Sequence, residues 1–109
     1  MEGPLWQWSA TDLAQAIRDR EISSQKVIKA HLDRIEAVNC KVNAVTVVLA
    51  EDSLRLASEA DKKIAAGENL GRLHGVPVTL KENIDLVGSA TTHGIVELKN
   101  FRFLQYLHT

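Results

Sequence analysis

Two short apolar runs separated by a helical pattern constrain the fold of this chain most strongly. Residues 45–49 and 76–80 are too short for helices, and the first run is too uniformly apolar for a strand with one wet face. Both runs are typical of buried strands in a parallel sheet. Residues 50–66 between them have helical periodicity, and Gly67 is placed to end that helix. The order predicts a right-handed βαβ unit and an α/β fold class.

Two helices are expected before this unit. Ser9 or Thr11 is placed to cap the first, whose apolar positions are Leu13, Ala16 and Ile17. Ser23 or Ser24 is placed to cap the second, whose apolar face comprises Val27, Ile28, Leu32, Ile35 and Val38. Residues 39–43 interrupt the helical period. Because two strands leave both sheet edges unpaired, the chain is expected to be the opening section of a larger sheet.

Charge and composition exclude several classes of function. The 109 residues carry 13 basic and 14 acidic side chains, interspersed, so nucleic acid is not an expected partner. No apolar run approaches a membrane span and no secretory signal pattern begins the chain, which favours a soluble cytoplasmic protein. The single cysteine, Cys40, cannot form an internal disulfide. The chain has four histidines, His31, His74, His93 and His108. They lack the spacing of metal ligands, so no metal or cofactor is expected.

The run from Gly71 to Asp85 contains the best candidate for chemistry. The run begins with glycines and contains Pro77, which are typical of turns. Lys81 then follows directly after residues 76–80, at the carboxyl end of the second expected strand. A lysine held half-desolvated has a lowered pKa and can act as a base or nucleophile near neutral pH. Lys81 is therefore the predicted catalytic residue.

This run resembles the opening of the amidase signature family. The similar sequence is Leu-His-Gly-Val-Pro-Val-Thr-Leu-Lys-Glu-Asn-Ile-Asp over residues 73–85, followed by Val-Gly-Ser-Ala-Thr-Thr over residues 87–92. The upstream order of a serine-capped helix, residues 39–49 and an Ala/Glu-rich helix is also similar, so the resemblance covers about residues 9–100. It implies an incomplete portion of that family's mixed sheet with its flanking helices.

Members of that family hydrolyse carboxylic amides with a serine, a second serine held by a cis peptide bond, and a lysine. The resemblance implies that Lys81 is the ultimate base of this triad, acting on a small-molecule amide in the complete enzyme. Gly75 and Pro77 would shape the approach to the strand. Asn83 and Asp85 would brace the loop that follows.

The chain also departs from the family pattern. The Gly/Ser-rich segment that holds both family serines and the oxyanion hole is missing from the 109 residues, so the chain is expected to be inactive alone. Ser23 and Ser24 are explained by capping, and Ser89 by a loop. Residues 1–100 are therefore predicted to be the amino-terminal portion of an amidase domain. Residues 101–109, rich in aromatics, form a divergent tail that indicates truncation, a frameshift or a true terminal element.

Two other classes of function stay open at this point. The chain is alternatively a non-catalytic interaction module that pairs its open sheet edges with a partner or with another copy of itself. A weaker alternative is a small enzyme that uses Lys81 as a Schiff base. The residues do not identify the amide substrate.

Overall fold

The computed structural model describes residues 2–81, and its contacts divide the chain into two units, Met1–Pro77 and Val78–Thr109. The first unit contains a 3-10 turn at Leu5–Gln7 and three helices. Helix α1 spans Ala10–Arg18, α2 spans Ser24–Val42 and α3 spans Ala50–Ala65. Helix α2 packs against both α3 and the 3-10 turn. Of the second unit, only residues 78–81 are described.

Local chemistry explains where these helices begin and end. The Ser9 side chain accepts the Asp12 N–H and Ser23 accepts the Lys26 N–H, so both expected serine caps are present. Gly67, with φ of +73°, follows the end of α3 as expected. Helix α2 is longer than predicted: it continues to Val42 and ends at Asn43, which adopts the left-handed conformation.

The core of the first unit is small and involves all three helices. Leu13 and Ile17 of α1 cluster with Val27 of α2, and all three are almost fully buried. Ala57 is the buried residue of α3. Five partly buried side chains pack against this cluster: Leu5, Trp8, Ile22, Ile64 and Val76. Of these, Val76 belongs to the run that precedes Lys81.

The predicted α/β fold class is wrong for the described part of the chain. Residues 2–81 contain helices and turns, and neither 45–49 nor 76–80 is a strand. Both runs are apolar and rich in β-branched residues, but a strand also requires a neighbour to share its hydrogen bonds. The backbone N–H and carbonyl of Val45 instead bond to the Asn39 side chain. A βαβ unit is therefore not formed by residues 45–80.

Residues 2–81 form no sheet, and large apolar side chains of these two runs are exposed. Within the first expected strand, Val47 is 51% exposed and Val48 is 45% exposed. Self-association stays a prediction, and residues 2–81 offer no sheet edge through which it would occur. No helix in this part of the chain is long and apolar enough to cross a membrane.

Candidate active site

Lys81 is the last residue that the structure describes, and its side chain is exposed. It follows Val78 and Leu80, which are 72% and 50% exposed. The role of Lys81 as a base stays a prediction. Asn83, Asp85 and Ser89 lie outside the described residues, as do His93, His108 and the tail at 101–109.

The residues that lead to Lys81 form a compact double turn. The His74 N–H donates to the Gly71 carbonyl at 3.2 Å, and the Val76 N–H donates to the Leu73 carbonyl at 3.1 Å. Gly75, between these two donors, has a φ of +80°. A side chain is strained in this left-handed conformation, so the glycine has a local reason to be here.

Ser24 attaches this turn to helix α2. Its hydroxyl donates a hydrogen bond of 2.7 Å to the Gly75 carbonyl oxygen, and the residue is 1% exposed. The expectation that helix capping explains Ser24 is therefore wrong, because Ser23 is the capping residue. Gly75 and Ser24 are so close that a Cβ on Gly75 would lie 3.1 Å from both Cβ and Oγ of Ser24.

Helix α3 holds the same end of α2 through a carboxylate. The two oxygens of Asp61 accept the backbone N–H groups of Ser24 at 2.7 Å and Gln25 at 3.1 Å. These N–H groups have no partner within their own helix, and a negative charge favours the positive end of the helix dipole. Asp61 therefore holds Ser24, the residue whose hydroxyl donates to the Gly75 carbonyl.

Further polar contacts join the turn and the α1–α2 loop to α3. The His74 ring donates from Nε2 to the Ala60 carbonyl at 2.9 Å. Arg20 donates at 2.9 Å to the Ile64 carbonyl near the end of α3, an oxygen that also accepts the Gly67 N–H at 3.0 Å. Arg18 lies 3.4 Å from the Arg72 carbonyl. Together with the packing of Val76, these contacts fix residues 71–77 against all three helices.

The anchored turn and Lys81 both fall within a region shared with a known family. The model of a family described as Amidase matches residues 26–103. The chain belongs to the amidase family. The resemblance drawn from the sequence is therefore confirmed at the level of the family.

Curated amidase-family relatives match most of this chain but only a fraction of their own length. An indoleacetamide hydrolase of Bradyrhizobium diazoefficiens is 49% identical over 100 residues, which are 92% of this chain and 19% of the relative. A glutamyl-tRNA(Gln) amidotransferase subunit of Carboxydothermus hydrogenoformans is 43% identical over 97 residues, 89% of this chain and 20% of the relative. The chain therefore spans about a fifth of the length of these relatives.

A second surface feature of this amidase-family chain lies apart from the turn. An open groove of about 600 Å³ is formed by the second half of α2 and the start of α3, and Cys40 lines it. No residue from the 71–81 run borders the groove. Among residues 2–81, no three His, Cys, Asp or Glu side chains are grouped to hold a metal ion.

Sequence reasoning missed Ser24 and Asp61 as the residues that hold the turn. In the sequence, Asp61 is one of several charged residues of α3, and only its position opposite the start of α2 distinguishes it. One signal was available for Ser24: the first of two adjacent serines suffices to cap a helix, which leaves the second without a local role.

Proposed function

We propose that this chain supplies the amino-terminal part of an amide hydrolase and that Lys81 is its proton acceptor. The observation that carries the proposal is the position of Lys81 within the region that matches the Amidase model. The Bradyrhizobium relative is named as a hydrolase of indoleacetamide, which supports a carboxylic amide as the substrate class. The bond broken is then a carbon–nitrogen bond other than a peptide bond.

The chemistry requires a lysine that is neutral when the reaction begins. Neutral Lys81 accepts a proton from a bridging serine, which takes the proton of a nucleophilic serine as that oxygen attacks the amide carbonyl. The nitrogen of the substrate leaves as ammonia or an amine after protonation. Water then cleaves the acyl-enzyme ester and releases the acid. Both serines come from a segment that these 109 residues do not contain.

A hybrid enzyme tests the proposal directly. The 100 matched residues of the Bradyrhizobium indoleacetamide hydrolase are replaced by those of this chain, and hydrolysis of indoleacetamide is measured. We expect the folded hybrid to be active and Lys81→Ala to lower kcat by roughly 10²–10⁴-fold, the usual contribution of a general base. Lys81→Arg should be equally damaging, because a guanidinium keeps its proton.

Lys63→Ala is the matched control, since Lys63 is an exposed lysine of α3. We expect its kcat to stay within twofold of the unsubstituted hybrid. A Lys81→Ala hybrid that retains a tenth or more of the activity would contradict the proposal. A well-folded hybrid that hydrolyses no indoleacetamide would also count against it.

A further inference from the structure

The apolar face of α2 is only partly covered by the other helices of the first unit. Val27, near the start of α2, is fully buried in the cluster with Leu13 and Ile17. Leu32 and Ile35 lie further along the same helix and are only half-buried. Both line the open groove of about 600 Å³ between the second half of α2 and the start of α3. The groove therefore includes part of the apolar face that the buried cluster leaves open.

The two sides of the groove are held together by a side chain that lines it. Val48 and Ala50 border the groove at the start of α3, opposite the residues of α2. The Asn39 side chain donates to the Val45 carbonyl and accepts the Val45 N–H, so both ends of its amide have partners within the chain. Asn39 thereby holds the segment that leads to Val48, which is 45% exposed. Burial of such apolar side chains by an occupant of the groove is favourable.

The lengths of the relatives indicate which polypeptide covers this groove. The match to the Bradyrhizobium hydrolase includes 92% of this chain but 19% of the relative, so most of that polypeptide lies outside the match. Apolar surface exposed on a folded unit commonly marks an interface. Within one amidase polypeptide the remaining part is covalently linked to this segment, so it meets the groove at a high effective concentration. A second copy of the chain would have to associate from dilute solution.

We propose that the groove between α2 and α3 is the docking surface for the part of an amidase polypeptide that lies outside the matched segment. The proposal rests on the proposed function, in which this chain supplies the amino-terminal part of an amide hydrolase. The partner surface that fits has apolar side chains opposite Leu32 and Ile35. It has hydrogen-bond donors opposite Asp33 and Glu36, whose side chains also line the groove. The apolar contacts supply the affinity, and the carboxylates fix the orientation.

Cys40 reports whether the groove is occupied, because it lines the groove, is exposed and is the single cysteine of the chain. Alkylation of residue 40 by iodoacetamide is followed by mass spectrometry in the 109-residue chain and in the folded indoleacetamide hydrolase hybrid. We expect the hybrid to react at least about tenfold more slowly, because a covered thiol is not accessible to the reagent. Equal rates in the two proteins would overturn the proposal. A thiol already protected in the 109-residue chain, relative to the same chain in urea, would overturn it as well, because the chain itself or a second copy would then be the occupant.

Lys41→Cys in a chain that also carries Cys40→Ser is the matched control. Lys41 is exposed, lies about 100° around the helix from Cys40, and is not among the residues that form the groove. We expect the thiol at position 41 to react at rates within about threefold of each other in the chain and in the hybrid. Equal protection at positions 40 and 41 would show that the covering is not directed at the groove and would overturn the proposal.

Val48→Asp measures whether the groove contributes to stability once it is covered. Val47 is the matched neighbour: it is 51% exposed and does not line the groove. In the 109-residue chain, Val48→Asp and Val47→Asp should each change the melting temperature by less than about 2 °C, because both sites are exposed. In the hybrid, only Val48→Asp should lower it, by roughly 5 °C or more, since docking would bury an unpaired carboxylate. Equal shifts for the two variants in the hybrid would contradict the proposal.

Val48→Thr covers the case in which the Val48→Asp hybrid does not fold. It nearly keeps the side-chain shape and adds one hydroxyl, so it should lower the melting temperature of the hybrid in the same direction by a smaller amount. These measurements also separate the docking surface from the function proposed for Lys81, because none of them requires catalysis. An active Lys81→Ala hybrid with a protected Cys40 would refute the role of Lys81 and support the docking surface. An active hybrid in which Cys40 reacts as fast as in the free chain would refute the docking surface alone.

Discussion

The carboxylate of Asp61, near the end of α3, accepts the backbone N–H of Ser24, the first residue of α2, at 2.7 Å. The contact joins two residues that are 37 positions apart in the sequence. It gives the Ser24 N–H an acceptor, which is needed because the first N–H groups of a helix have no acceptor within that helix. In the opposite direction, Arg20 of the α1–α2 loop donates to the Ile64 carbonyl near the end of α3. Two charged side chains therefore supply hydrogen-bond partners to the start of α2 and the end of α3.

Asp61→Asn should destabilise the chain by about 1–2 kcal/mol. The amide group of Asn keeps one acceptor oxygen but presents an N–H₂ group to the second backbone N–H, so one hydrogen bond is lost and two donors face each other. The negative charge at the start of α2 is lost as well. Thermal unfolding of the 109-residue chain should show the melting temperature lowered by roughly 4–8 °C for each kcal/mol.

Asp33→Asn is the control for the charge itself. Asp33 pairs with Lys29 on the exposed face of α2, where both side chains are more than half exposed. Such surface pairs contribute little, so the free energy of unfolding should change by less than about 0.5 kcal/mol. Equal effects of the two substitutions would show that Asp61 contributes nothing through its position.

Three glycines allow the Gly75 contact to be separated from backbone strain. Gly67→Ala adds a methyl group at φ of +73° with nothing within 4 Å, so only strain is expected, about 1–2 kcal/mol. Gly75→Ala has similar strain, and its new Cβ lies 3.1 Å from Ser24 and 3.3 Å from Ile17. Crowding should add roughly 1–3 kcal/mol.

Gly71→Ala completes the series, because Gly71 has open space around it and no positive φ. Its free energy of unfolding should stay within about 0.5 kcal/mol of the original chain. Urea unfolding of all three variants measures the differences. If Gly75→Ala is no more destabilised than Gly67→Ala, the turn relaxes away from Ser24 and the close contact is not an energetic constraint.

Helix positions were predictable from the sequence because their determinants are local. Ser9 and Ser23 cap helices through N–H groups three residues away, and Gly67 ends α3 through its own backbone freedom. The stripe of Leu13 and Ile17 was also sufficient to identify the buried face of α1. Each of these features depends on residues within one or two turns of each other.

Strands and the tertiary contacts of the turn were not predictable in the same way. The β-branched composition of residues 45–49 indicates a preference, whereas strand formation depends on a neighbour at an unknown distance along the chain. Likewise, nothing next to Asp61 in the sequence indicates that it faces Ser24. The family of the chain was recognisable because the residues around Lys81 occur in a specific order, independent of how residues 45–80 fold.

The last prediction concerns Asn39, whose side chain forms hydrogen bonds with the backbone of Val45, at the start of the run 45–49 where a strand was expected. Its Nδ2 donates to the Val45 carbonyl at 2.7 Å, and its Oδ1 accepts the Val45 N–H at 3.0 Å. In Asn39→Asp the donor becomes a second carboxylate oxygen facing that carbonyl. One hydrogen bond is replaced by repulsion, which should cost about 1–2 kcal/mol at neutral pH, measured by urea unfolding. Asn69→Asp makes the same chemical change at an exposed position and should stay within about 0.5 kcal/mol. If both variants unfold at the same urea concentration, the Asn39 side chain does not hold the segment after α2, and another contact must keep Val45 in place.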